Sequence, residues 1–285
     1  MRARLRAGRR AAARVRHHAV GGLRPAVAGD VVTATATRAE VCAVACAEAW
    51  RGDGEIVASP IGTVPTIGAR LAALTFAPDL VLTDGDALVT SMADLPLPVG
   101  AAADAPRVVE GWLPFGKMFD LLWWGRRHVM MGATQVDRFG NQNIACIGPW
   151  EKPKAMLLGV RGAPGNTVNH PTSYWVPNHS RRVFVEKVDF VSGVGYDRVP
   201  PSAAGHEIRV VVSNLGVFDF DTPDRSMRLR SLHPGVTVDE VREGTGFDLA
   251  IDGDVSETRS PSDDELRLIR EVLDPQGLRD AEVKG

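Results

Sequence analysis

The chain has 285 residues, enough for one large α/β domain or two small ones. Its 44% hydrophobic and 24% charged residues are ordinary for a globular protein, and a net charge of -2 excludes a global basic field for nucleic acid. No apolar run reaches the length of a transmembrane helix, and the three cysteines, Cys42, Cys46 and Cys146, argue against a disulfide scaffold and for a reducing cytoplasm.

Residues 1–34 differ from the rest. Arg2, Arg4, Arg6, Arg9, Arg10, Arg14, Arg16 and Arg24 lie there, and no acid precedes Asp30. Such a run cannot bury enough apolar surface to fold alone. It reads as a transit peptide, as an export signal lacking its apolar region, or as a start codon placed too early. The last is preferred, which makes 1–34 a disordered or mis-annotated extension and 35–285 one domain. The domain opens with a capping box, Thr37-x-x-Glu40, and the apolar face of Val41, Val44 and Ala45. Cys42 and Cys46, four apart on that helix, read as core packing rather than metal ligands. Gly52 and Gly54 end the helix. A strand over 55–58 and a loop over 59–65 follow. Thr66 is placed to cap a helix over 67–76, which Pro78 stops. Residues 80–83 read as a strand, 87–107 as irregular, and 115–124 as a short aromatic helix packed on the sheet.

Further strands are expected over 128–132, 155–160, 182–191, 208–213 and 217–220. Short helices are expected over 238–242 and, after the capping box Ser262-x-x-Glu265, over 265–273. Strands alternate with helices early and dominate the middle, the pattern of an α/β domain with an open mixed sheet flanked by helices. No internal repeat is visible.

Strong chemical motifs are missing. The chain has no phosphate loop, no dinucleotide glycine pattern, no nucleophile elbow and no zinc spacing. His170 and His179 stand alone in loop sequence. What remains are glycine- and amide-rich turns after strands, where open α/β sheets bind ligands. Residues 132–143 (GATQVDRFGNQN) offer Gln135, Asn141 and Asn143 as neutral donors and acceptors. A plain hairpin, turned at Gly140-Asn141 with Asp137 and Arg138 as a surface pair, explains the same residues and is the leading physical reading. Residues 161–173 (RGAPGNTVNHPTS) read as a loop whose Gly162 and Gly165 free the backbone to cradle an anion, or as an ordinary connection. Tyr174 and Trp175 then return to the core.

Together these segments resemble the beta subunits of the class I CoA-transferase superfamily. Residues 131–143 (MGATQVDRFGNQN) are similar to its Gly-x-x-Gln-Val-Asp-x-x-Gly-Asn-x-Asn signature. Residues 232–247 (LHPGVTVDEVREGTGF) and 210–220 (VVVSNLGVFDF) are similar to its C-terminal segments. Residues 38–48, 68–85, 110–116 and 161–179 narrow the resemblance to the actinobacterial cholesterol ring-cleaving hydrolases. Membership implies a CoA-transferase-like fold and an α2β2 heterotetramer with a CoA-transferase-like alpha subunit. It also implies an acyl-CoA substrate whose CoA is no separate cofactor, no metal, no nucleic acid and no membrane.

The chain departs from the transferases in one telling place. Their nucleophilic glutamate loop corresponds to Ser59-Pro60-Ile61-Gly62 here, and Glu55 lies earlier, in the expected strand. The resemblance therefore implies that the alpha subunit supplies the catalytic carboxylate. It implies hydrolytic, retro-Claisen opening of a cyclic β-keto acyl-CoA in late steroid-ring degradation. The catalytic residues of this chain stay unassigned. Gln135, Asn143 and Ser59 are supporting candidates, and Gly162, Gly165 and Asn166 are candidates for the CoA thioester or an oxyanion. The alternatives are a true transferase moving CoA between carboxylic acids and a non-catalytic, pocket-forming subunit.

Overall fold

The computed structural model describes residues 35–85, 87–200 and 202–283. The reading of 1–34 as an extension lies outside the described residues. Helix α1 (Arg38–Glu48) starts at the expected capping box: the Thr37 side chain accepts from the Glu40 amide, and the Glu40 carboxylate accepts from Thr37 N. Such a cap is worth about 1 kcal/mol. Strand β1 (Val57–Pro60) leads through Gly62 into α2 (Thr63–Thr75). The Cβ position of Gly68 lies 2.8 Å from Cys46 Cβ and 2.9 Å from Ala43 O, so α1 and α2 pack at a distance only glycine permits. Cys42 and Cys46 are fully buried in this contact, and burial pushes the Cys42 thiol up to about 12.

Beyond α2 come β2 (Leu88–Thr90), β3 (Val109–Trp112), α3 (Phe115–Trp123) and β4 (Arg127–Gly132). The signature segment is a two-stranded hairpin, β5 (Gln135–Val136) and β6 (Gln142–Asn143), followed by the pair β7 (Cys146–Ile147) and β8 (Ala155–Met156). Then come α4 (Ala163–Asn169), β9 (Pro171–Val176), β10 (Glu207–Ser213), β11 (Gly216–Asp219), β12 (Arg228–Leu232), α5 (Val238–Gly244) and β13 (Ser256–Glu257). The last elements are α6 (Asp263–Arg267), continued as a π-helix over Leu268–Leu273, and α7 (Arg279–Glu282).

The main sheet runs β1-β4-β9-β10-β11-β12-β13. The pairs from β1 to β10 are parallel, β10-β11 and β11-β12 are antiparallel, and β12-β13 is parallel. Alternation along the strands makes two cores. Ala58, Met130, Trp175, Val210 and Val212 meet α1, α2 and the π-helix. Val129, Met131, Tyr174, Val211 and Phe218 meet Val136, Phe184 and Phe247 on the opposite face. This is the expected mixed sheet with flanking layers. No helix among the described residues is long and apolar enough to cross a membrane.

Several local expectations change. Thr66 is not the cap of α2: its hydroxyl donates to Gly62 O from inside a helix that starts three residues earlier. Pro65 fits there because a proline in the first turn displaces no helical hydrogen bond. Residues 80–83 make only bridges, Val81 to Val57 and Thr83 to Val89. Residues 155–160 pair only at Ala155–Met156, with Met156 and Leu158 exposed. Residues 182–191 make a single bridge at Phe184. The segment 161–173 is no loop: it folds as α4 and the start of β9. Helix α3 turns its aromatic rings to the surface, with Phe115 78% and Trp123 67% exposed, while Leu122 is its buried anchor.

Candidate active site

The parallel strands β1, β4 and β9 lie side by side, and the short β1 is level with the first residues of β4, Arg127 to Met130. Arg127 opens β4 two residues below the level of Ser59, because Val57 pairs with Arg127 and Ser59 with Val129. Its long side chain runs along the sheet face. Nε donates to Ser59 Oγ at 2.9 Å, and Nη1 donates to Asn166 Oδ1 at 3.1 Å. Arg127 thereby brings together two residues singled out from the sequence, on β1 and α4. Ser59 Oγ accepts from arginine, which leaves its own O–H free to donate.

Ser59 and Arg127 line a cavity of about 280 Å³ with Ala58, Arg70, Phe115 and Met118. Arg70 comes from α2, is buried, and donates to Leu97 O at 2.6 Å. Neither arginine forms an ion pair among the described residues, and burial lowers the pKa of both, that of Arg70 to about 10. Both stay cationic near neutrality. Holding a guanidinium out of water without a carboxylate costs free energy that an entering anion returns. None of the described residues lining the cavity is an aspartate or glutamate. The described lining therefore offers positive charge and a hydroxyl, and no carboxylate to act as nucleophile or base.

The other candidates fall elsewhere. Gln135 and Asn143 face each other across the β5–β6 hairpin and do not line this cavity. Asn143 Nδ2 donates to Gln135 Oε1 and to Cys146 O, both at 2.7 Å, while its Oδ1 accepts from Ala145 N at 2.9 Å. Gln135 Nε2 donates to Asp189 Oδ2 at 3.0 Å, and its Oε1 accepts from Asp189 N at 2.9 Å. Both amides are occupied holding the hairpin to the following turns. Asp137 and Arg138 are not a surface pair. Asp137 is buried, accepts from the Asn141 amide and side chain, and has its pKa raised by burial, while Arg138 pairs with Asp224. Gly162 is the N-cap of α4, beside the Asn166 side chain. Gly165 abuts Leu122, where a methyl group would come within 3.3 Å, so its smallness serves the α3–α4 packing.

The buried histidines are structural. His128 Nδ1 meets Asp53 Oδ2 at 2.7 Å and its Nε2 meets Ser173 Oγ at 2.9 Å, the spacing of a nucleophilic triad. Serine and histidine are both fully buried, so no substrate reaches them. His170 Nδ1 donates to Pro171 O, and His179 stacks on Phe184 with its nitrogens at Ser213 and Thr245. Sequence reasoning missed Arg127 and Arg70. The available signal was for Arg70 alone, a basic residue placed among the apolar residues of α2.

The chain belongs to the coenzyme A transferase family, whose model matches residues 43–244. Within it, the chain is 58% identical over 250 residues to the cholesterol ring-cleaving hydrolase IpdB subunit of Rhodococcus jostii (strain RHA1), an alignment spanning 87% of this chain and 96% of that protein. The crystal structure of Rhodococcus jostii RHA1 IpdAB matches with a TM-score of 0.83 at 55% identity, covering 88% of this chain and 100% of the matched one. That of the decarboxylase AibA/AibB matches with a TM-score of 0.73 at 26% identity, covering 87% and 99%.

Proposed function

We propose that this chain is the beta subunit of a heteromeric, ring-cleaving hydrolase that opens a cyclic β-keto acyl-CoA during steroid-ring degradation. Its likeness to the IpdB subunit and to the IpdAB structure supports the reaction class and the two-chain assembly. One observation of this structure carries the reading: the Ser59 cavity holds two arginines and no carboxylate among its described lining residues. A transferase reaction run from this chain needs a glutamate there to take up CoA as a thioester. The catalytic carboxylate belongs instead to an alpha subunit. The aromatic face of α3, with Phe115 and Met118 at the cavity, suits that subunit contact, because exposed apolar surface of this kind marks an interface.

In the reaction, water activated by the alpha-subunit carboxylate adds to the ring ketone, after hydration of a ring double bond where one is present. The bond from that carbon to the carbon α to the thioester then breaks. Its electron pair passes to the α-carbon as a thioester enolate, the ketone carbon becomes a carboxylic acid, and the α-carbon takes up a proton. Arg127 and the Ser59 hydroxyl stabilise the enolate oxygen, where preorganised donors in a water-poor site are most effective. Asn166 orients Arg127, and Gly162 lets the first turn of α4 sit against the thioester end of the substrate while Gly165 seats that helix on α3. Gln135 and Asn143 support the hairpin that frames the pocket. The chemistry calls for no cofactor, since CoA is part of the substrate. The three free, buried cysteines favour a cytoplasmic location.

The test is co-expression with a CoA-transferase-like alpha subunit, isolation of the complex, and assay on a cyclic β-keto acyl-CoA. Ring opening is expected. Borohydride inactivation after acyl-CoA addition, which traps a glutamyl thioester, would establish the transferase alternative.

A further inference from the structure

Ser59, on β1, and Arg70, on α2, are separated by the bend through Ile61 and Gly62. Two local features steer this bend. Ile61 N donates to Met130 O at 2.8 Å, which continues the parallel pairing past the end of β1. Gly62 has φ of 118°, a conformation reserved for glycine, and its side-chain-less position leaves α2 without a cap of its own.

The missing cap comes from the far end of the chain. Glu282, in α7, accepts from Val64 N through Oε2 at 2.8 Å and from Trp175 Nε1 through Oε1 at 2.9 Å. A Cβ on Gly62 would lie 2.9 Å from that Oε1, so glycine is also what admits the carboxylate. Trp175 is buried on β9 opposite Gly132 of β4. One carboxylate therefore ties the start of α2 to the end of β9, the neighbour of β4 in the sheet. Its charge also suits the first turn of α2, where backbone N–H groups are unpaired. The anchor behind it is firm: Arg279, three residues earlier, is buried between Asp274 and Glu40, at 2.9 Å from each.

We propose that Glu282 is a positioning residue for the reaction: by capping α2 and gripping Trp175, it fixes Ser59 and Arg70 relative to Arg127. The inference rests on the Ser59–Arg127 cavity being the reaction site. Displacement of catalytic donors by a fraction of an ångström lowers turnover while leaving binding of the distant CoA body intact.

The experiment compares Glu282→Gln with the unaltered chain, each as the purified complex with the alpha subunit, using a cyclic β-keto acyl-CoA at a temperature well below either melting transition. The expected result is a fall in kcat of about 10-fold with KM changed less than about 2-fold. A purely structural role lowers the melting temperature and leaves kcat per folded complex unchanged, and that result overturns the proposal. If Glu282→Gln does not assemble, Glu282→Asp, which keeps the charge on a shorter arm, is expected to show the same split at smaller size, and its absence overturns the proposal equally. Arg127→Ala in the same assay separates the two ideas. A damaged Arg127 variant beside an unaffected Glu282 variant rejects positioning alone, and an unaffected Arg127 variant rejects the site itself.

Discussion

A guanidinium in a half-buried cavity without a carboxylate partner keeps its charge available for an entering anion, and Arg127 stands in that position with two of its donors already fixed by Ser59 and Asn166. If it stabilises an enolate, Arg127→Ala lowers kcat by about 10²- to 10³-fold in steady-state assays of the complex. Arg127→Lys, which keeps the charge and loses the planar fork, is expected to recover only part of that loss. The buried histidines act on stability instead. Burial lowers the pKa of His179 to about 3 and those of His170 and His233 to about 4. Because the folded values lie below the ordinary value of about 6.5, the unfolded chain binds more protons below that pH. These histidines therefore favour the fold fully above about pH 6.5 and progressively less as the pH falls toward 4. A melting temperature that declines across this window, ahead of carboxylate titration, is the expected outcome of thermal scans, and a flat profile from pH 6.5 to 4.5 contradicts it.

The β5–β6 hairpin shows what an element can reveal and what it hides. Its turn chemistry was legible, since Gly140 takes φ of 81° and Asp137 accepts from the Phe139 and Asn141 amides. Its amides read equally well as ligand contacts, and only the fold shows them occupied. Asn143→Ala is accordingly expected to cost about 1–3 kcal/mol of stability, by leaving buried partners unpaired, with turnover per folded complex within about 3-fold of the unaltered enzyme. Paired denaturant unfolding and kinetics check this. Capping boxes at Thr37 and Ser262 were readable because all their partners lie within three residues. Helix α4 was not, because Gly162, Pro164 and Gly165 resemble loop composition, although proline is acceptable in a first helical turn. The apolar run 155–160 misled in the other direction, since Met156 and Leu158 are apolar and exposed. Arg127 was beyond local reading altogether: its partners are 68 and 39 residues away.

At the scale of the whole molecule, the cavity lies at the end of the edge strand β1 beside the start of β4, in the parallel half of the sheet, while β11 and β12 complete the sheet in antiparallel fashion away from β1. Helices α1 and α2 seal one face, and the hairpin, the segment around Phe184 and α4 cover the other. The family resemblance pointed to the right architecture because its motifs mark this frame. The proposed chemistry turns on the cavity's described lining, which holds the cationic pair Arg70 and Arg127 and no carboxylate. In the proposed reaction, the carboxylate comes from the second subunit. The most direct measurement is to run the purified two-chain complex on a cyclic β-keto acyl-CoA in heavy-oxygen water with acetate present, and to weigh the products by mass spectrometry. Hydrolysis predicts a ring-opened acyl-CoA carrying heavy oxygen in its new carboxylate, with no acetyl-CoA formed. Acetyl-CoA appearing beside an intact ring contradicts it.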